Sequence, residues 1–109
     1  MSDRELLELA AKAAGIEYSY HPGCGDALEL VKPRGLHIYW NPLADDGDAL
    51  RLANAMRFSV YHAKLAVIIK HNQYSWEWMG ESINEDSGDR DASTRRAIVR
   101  AAAEIGKSQ

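Results

Sequence analysis

At 109 residues, 46% of them hydrophobic and 27% charged, the chain is one domain's worth of ordinary globular sequence, which excludes a disordered or fibrous protein. Thirteen Lys and Arg against sixteen Asp and Glu leave a net charge of −3, so no global positive field collects phosphates, and nucleic-acid binding would need a local basic patch. The single cysteine, Cys24, excludes an internal disulfide and fits a reducing compartment; no apolar run reaches the roughly 20 residues of a membrane helix, and Ser2-Asp3-Arg4-Glu5 is not a secretory signal, so the expected location is the cytoplasm.

The first predicted helix opens on Ser2 and Glu5, the spacing of a capping box. Leu6, Leu9, Ala10 and Ala13 recur at helical spacing, and Gly15 suits a left-handed C-terminal cap. The period then changes to two. Glu17–Tyr20 reads as a strand, His21-Pro22-Gly23-Cys24-Gly25-Asp26 as a turn, and Ala27–Val31 as a second strand. Lys32-Pro33-Arg34-Gly35 turns the chain again into a third strand, Leu36–Trp40, completing an antiparallel meander.

Asn41-Pro42 ends that strand. A second helix is predicted over Asp46–Met56, burying Ala49, Leu52, Ala53 and Met56, with Asp45, Asp46 and Asp48 at the positive end of its dipole. Strands are predicted at Lys64–Lys70 and Tyr74–Met79, with a shorter one available at Ser59–Tyr61. Glu81–Asp91 reads as an acidic loop. The last predicted helix, Ala92–Ile105, is capped by Asp91, ends at Gly106 and buries Ile98, Ala101, Ala102 and Ile105. The expectation is a single α+β domain over 1–109, in the order α-β-β-β-α-β-β-α. Three helices cover a mostly antiparallel sheet of about five strands, sharing one face or divided between two.

Three segments carry a family resemblance. Trp40–Ala53 (WNPLADDGDALRLA) resembles the central motif of the phage ABA-sandwich family. Thr94–Gly106 (TRRAIVRAAAEIG) is similar to its closing helix, and the opening helix with Ala14-Gly15-Ile16 is similar too. The NinX-like phage proteins are more distantly similar. The resemblance implies an α/β/α (ABA) sandwich encoded by tailed phages or prophages and acting in the bacterial host cytoplasm. It brings no established activity and no catalytic residues. The aromatic-rich stretch Phe58–Trp78 departs from the family's pattern, so a site there rests on this sequence alone.

Four groups of residues invite a chemical reading. Trp40, Asn41, Asp45, Asp46 and Asp48 lie where a strand leads into a helix N-terminus, a place where free N–H groups and carboxylates hold a small ligand or hydrated cation. The plainer reading is a turn, helix caps and a core tryptophan. His21 and Cys24 form half a zinc site, but His37, His62 and His71 give no close pair to complete it, so no metal and no cofactor is expected. Tyr74, Trp76 and Trp78 share one strand face: core, the seam of a homodimer, or a platform for bases or a protein. Arg95, Arg96 and Arg100 make a basic stripe that contacts phosphate, pairs with the acidic loop, or is simply solvated.

Without a nucleophile, base and orienter in evident relation, the sequence favours a non-enzymatic phage accessory protein. It would be a small, homo-oligomeric module, dimeric by expectation, that engages a host or phage protein or a small ligand. The alternatives are a metal- or nucleotide-dependent enzyme using Asp45, Asp46 and Asp48, and, less favoured, a nucleic-acid binder acting through the last helix.

Overall fold

The computed structural model describes residues 2–19, 27–34, 37–64, 66–71, 78–82 and 89–109; the side chains of 32–34, 37–38 and 78–82 are outside the described set. Helix α1 spans Asp3–Ala14, with Ser2 Oγ accepting from the Glu5 N–H at 3.1 Å. Gly15 ends it at φ +72°: its N–H donates to the Lys12 carbonyl and that of Ile16 to the Ala11 carbonyl, a Schellman closure. Ile16 then packs against the core.

Strands β1 (Tyr18–Ser19), β2 (Leu28–Arg34) and β3 (His37–Trp40) form an antiparallel sheet in that order. The expected turn at Lys32–Gly35 is displaced. β2 continues through Arg34, which pairs with His37 of β3. The register shifts between Glu29 and Arg34, and Pro33 lies in that irregular stretch, where a residue lacking an N–H interrupts no regular ladder.

Helix α2 occupies Asp46–Met56 and buries Ala49, Leu52, Ala53 and Met56, the stripe and bounds read from the sequence. It ends on Arg57, which takes the left-handed conformation (φ +56°) usually left to glycine. A second antiparallel sheet follows, β4 (Phe58–His62), β5 (Ala66–His71) and β6 (Trp78–Ser82), with Val60 opposite Ile69 and Ile69 opposite Met79. The short strand at Ser59–Tyr61 is thus a full strand. β6 runs past the expected end at Met79, with Gly80 in the ladder opposite Ile68 and Ser82 opposite Ala66, so the expected loop does not begin at Glu81; residues 74–77 lie outside the described residues.

Helix α3 is longer than expected, Arg90–Ser108, and its cap is Asp89 instead of Asp91: the Asp89 carboxylate accepts from the Ala92 N–H at 2.9 Å. Arg90 donates to the carbonyls of Ala63 and Lys64, tying the β4–β5 turn to the helix start. Gly106 does not stop the helix. A Cβ there would overlap the Leu9 carbonyl oxygen and lie 2.9 Å from the Leu9 carbonyl carbon, so glycine lets α3 press onto α1.

The α+β class, three helices and antiparallel pairing stand as read, in the order α-βββ-α-βββ-α. Among the described residues, the strands are divided between two three-stranded sheets instead of one sheet of about five, because β3 leads through a short loop into α2 and β4 starts a fresh hairpin. Helix α3 touches α1, α2, β5 and β6. That explains why Ala97 and Val99, beside the expected stripe, are buried too. One hydrophobic cluster joins the helices to Leu28 and Trp40 of the first sheet and Val67 and Ile69 of the second. Among the described residues, no helix is long and apolar enough to cross a membrane.

Candidate functional site

The loop from β3 to α2 is built by the residues singled out in the sequence. Trp40 is 4% exposed and belongs to the core. Pro42 is fully buried, and Asn41 makes an Asx turn around it, its Oδ1 accepting from the Leu43 N–H at 3.2 Å. The Asn41 carbonyl accepts from the N–H groups of Ala44 and Asp45.

Each of the three aspartates has a structural partner. Asp45 is the N-cap of α2, accepting from the Asp48 N–H at 2.8 Å. Asp48 is 2% exposed and is the buried charged residue of the described core. Its carboxylate accepts from the Asn41 N–H at 2.9 Å and from Arg51 Nη2 at 2.8 Å. In a capping box the third helical residue reaches back to the cap's own N–H; Asp48 reaches further and fastens the strand end instead. Asp46, mostly exposed, pairs with Arg95 Nη1 at 2.6 Å.

The basic stripe is anchored as well. Arg95, with its side chain 17% exposed, donates through Nε to the Leu43 carbonyl at 2.9 Å while holding Asp46. Arg96 donates to Asp3 at 3.1 Å, both side chains being partly exposed. The expected roles of the stripe were phosphate contact, pairing with the acidic loop before it, or simple solvation. Arg95 and Arg96 instead pair with the starts of α2 and α1. Arg100 is exposed.

Between these groups lies a cavity of about 290 Å³. Among the described residues it is lined by Asp3 of α1, Asn41, Leu43 and Ala44 of the β3–α2 loop, and Ala92 and Arg96 of α3. It therefore lies between the first residue of α1, the loop that leads into α2 and the first two turns of α3. Of the residues proposed from sequence, the fold brings Asn41 and Arg96 together here, with Asp45, Asp46 and Arg95 in the rim's hydrogen-bond network. Asp3, Leu43, Ala44 and Ala92 were not singled out. Asp3 was legible only as a first-turn acid, and small apolar residues carry no chemical signal.

Cys24, His21, Tyr74 and Trp76 lie outside the described residues. Trp78 stands opposite Lys70 in the β5–β6 ladder and His37 opposite Arg34. His62 is exposed at the end of β4, and His71 packs edge-on against Phe58, ring centres 5.6 Å apart. Among the described residues no three His, Cys, Asp or Glu side chains are grouped to hold a metal ion. Compared with protein-family models, curated proteins and solved structures, the chain finds no match.

Proposed function

We propose that this chain is a small-ligand binding module without catalytic apparatus, and that the cavity between the starts of α1 and α3 and the β3–α2 loop is its site. The observation that carries this reading is the commitment of Asp45, Asp46 and Asp48 to a cap, an ion pair and a buried tether, beside a cavity that still presents Arg96 and Asp3. Carboxylates so engaged are poorly placed as metal ligands or general bases, which weakens the enzyme reading. Arg95 is held by Asp46 and the Leu43 carbonyl, and Arg96 borders a cavity too small for a duplex, which weakens the nucleic-acid reading.

About 290 Å³ is at the lower end of small-molecule sites, so the ligand is compact, the size of an amino acid or a small organic phosphate. The likeness of Trp40–Ala53 and Thr94–Gly106 to the phage ABA-sandwich family suits an accessory protein of a tailed phage or prophage in the host cytoplasm. A homodimer joined through the aromatic-rich region of Tyr74, Trp76 and Trp78 is compatible with this reading.

The test is a thermal-shift panel of small metabolites on the wild-type chain and on Ala44→Trp, which fills the cavity mouth, together with mass spectrometry of molecules that co-purify. At least one compound should raise the wild-type Tm and leave the filled variant unmoved. A panel that shifts neither protein, or both equally, overturns the assignment.

A further inference from the structure

Resting on that reading, we propose that Asp3 is a built-in competitor, which the carboxylate or phosphate of a ligand displaces from Arg96. The two cations at the cavity differ in how firmly they are held. Arg95 makes two hydrogen bonds from a side chain 17% exposed and braces Leu43, which lines the cavity. Arg96 makes one, to Asp3, and these two side chains are 40% and 45% exposed. A solvent-screened pair held by a single 3.1 Å bond is weak, whereas a guanidinium offers a planar anion two parallel donors at once.

Asp3 also sits where exchange is cheap. It is the first residue of α1, outside the buried set of Leu6, Leu7, Ala10 and Ala11, so its side chain can swing to solvent without disturbing the helix packing. While it is in place, its carboxylate occupies the position an incoming anion would take. Leu43, Ala44 and Ala92 offer only small or apolar surface around that point and Asn41 is uncharged, so among the described lining residues the cation is Arg96.

The experiment titrates inorganic phosphate and, separately, acetate into the wild-type chain, Asp3→Asn, Arg96→Gln and the double variant, following the amide signals of residues 41–44 and 92–96. Asn keeps the shape of Asp3 and removes its charge, so Asp3→Asn should tighten anion binding roughly 3- to 10-fold. Arg96→Gln should weaken it about 10-fold or more, and should abolish the effect of Asp3→Asn in the double variant. The arm with the larger gain tells a phosphate ligand from a carboxylate one. If the wild-type cavity responds but Asp3→Asn leaves affinity unchanged or lower, the competitor role is wrong and the binding site stands. If no variant's cavity signals move with either anion while a neutral metabolite binds there, the anion class is wrong. If nothing binds there at all, both readings fall. Arg96→Lys, which keeps the charge without the fork, serves if Arg96→Gln fails to fold, and should lose most of the affinity.

Discussion

The seam between α1 and α3 and the junction between β3 and α2 are assembled by opposite means. At the seam, Leu7, Ala10, Ala102 and Ala103 are essentially solvent-free, and Gly106 brings the two backbones together without a side chain between them. Its energy is burial and close packing, which are non-directional and sensitive to volume. At the junction, shape is set by directed bonds: Asp48 to Asn41 and Arg51, Asp45 to the helix N–H, Arg95 to Leu43 and Asp46. The seam fixes that the helices pack. The junction sets the position of the loop that lines the cavity against the first turns of α1 and α3.

If that contrast holds, the largest effect belongs to volume at the seam. Gly106→Val should destabilise by about 3 kcal/mol or more in urea unfolding, Gly106→Ala by somewhat less, because the clash is with backbone that cannot rotate away. Next comes the buried tether. Asp48→Ala removes two hydrogen bonds and leaves the Asn41 N–H without its acceptor, which should cost about 2–3 kcal/mol. Asp45→Ala should cost about 1 kcal/mol as a lost N-cap, and Asp46→Ala less, its partner bond lying in solvent. Replacing Arg57 by Gly, which relieves a left-handed conformation at some entropic cost, should stabilise by up to about 1 kcal/mol.

A pH test sharpens the same contrast from the apolar side. Burial of the Tyr18 phenol, helped by the Glu8 carboxylate and opposed by Arg4, raises its pKa above the ordinary 10.0. The folded state therefore binds this proton more tightly than the unfolded chain. Its contribution is complete below pH 10 and is lost as pH rises through the raised value. Tyr18→Phe should flatten that alkaline loss in a pH series of melting curves.

The sequence showed these two regions unequally. The α2 bounds, its buried stripe and the cap at Asp45 were readable because an Asp-rich first turn and a 3.6-residue period are local signals. The reach of Asp48 back to Asn41 was not, since a partner seven residues away across a turn leaves no periodic mark. Gly106 was read as a helix stop because glycine's usual role is local; its role here depends on Leu9, 97 positions earlier. The pairing of Arg95 and Arg96 with Asp46 and Asp3 is long-range in the same way, so the basic stripe looked solvated until α3 was set against α1 and α2. The division of the strands into two sheets was equally hidden, because alternation marks strands without naming their partners.

The claim that most needs testing is that the junction's acids hold the fold and do not hold a reactive ion. Unfolding free energies of Asp45→Ala, Asp46→Ala and Asp48→Ala, measured with and without Mg²⁺ or Mn²⁺, decide it. The expected losses fall in the order Asp48, Asp45, Asp46, and are the same whether or not metal is present. A wild-type chain stabilised by the metal, with that gain erased in the three variants, would contradict the account.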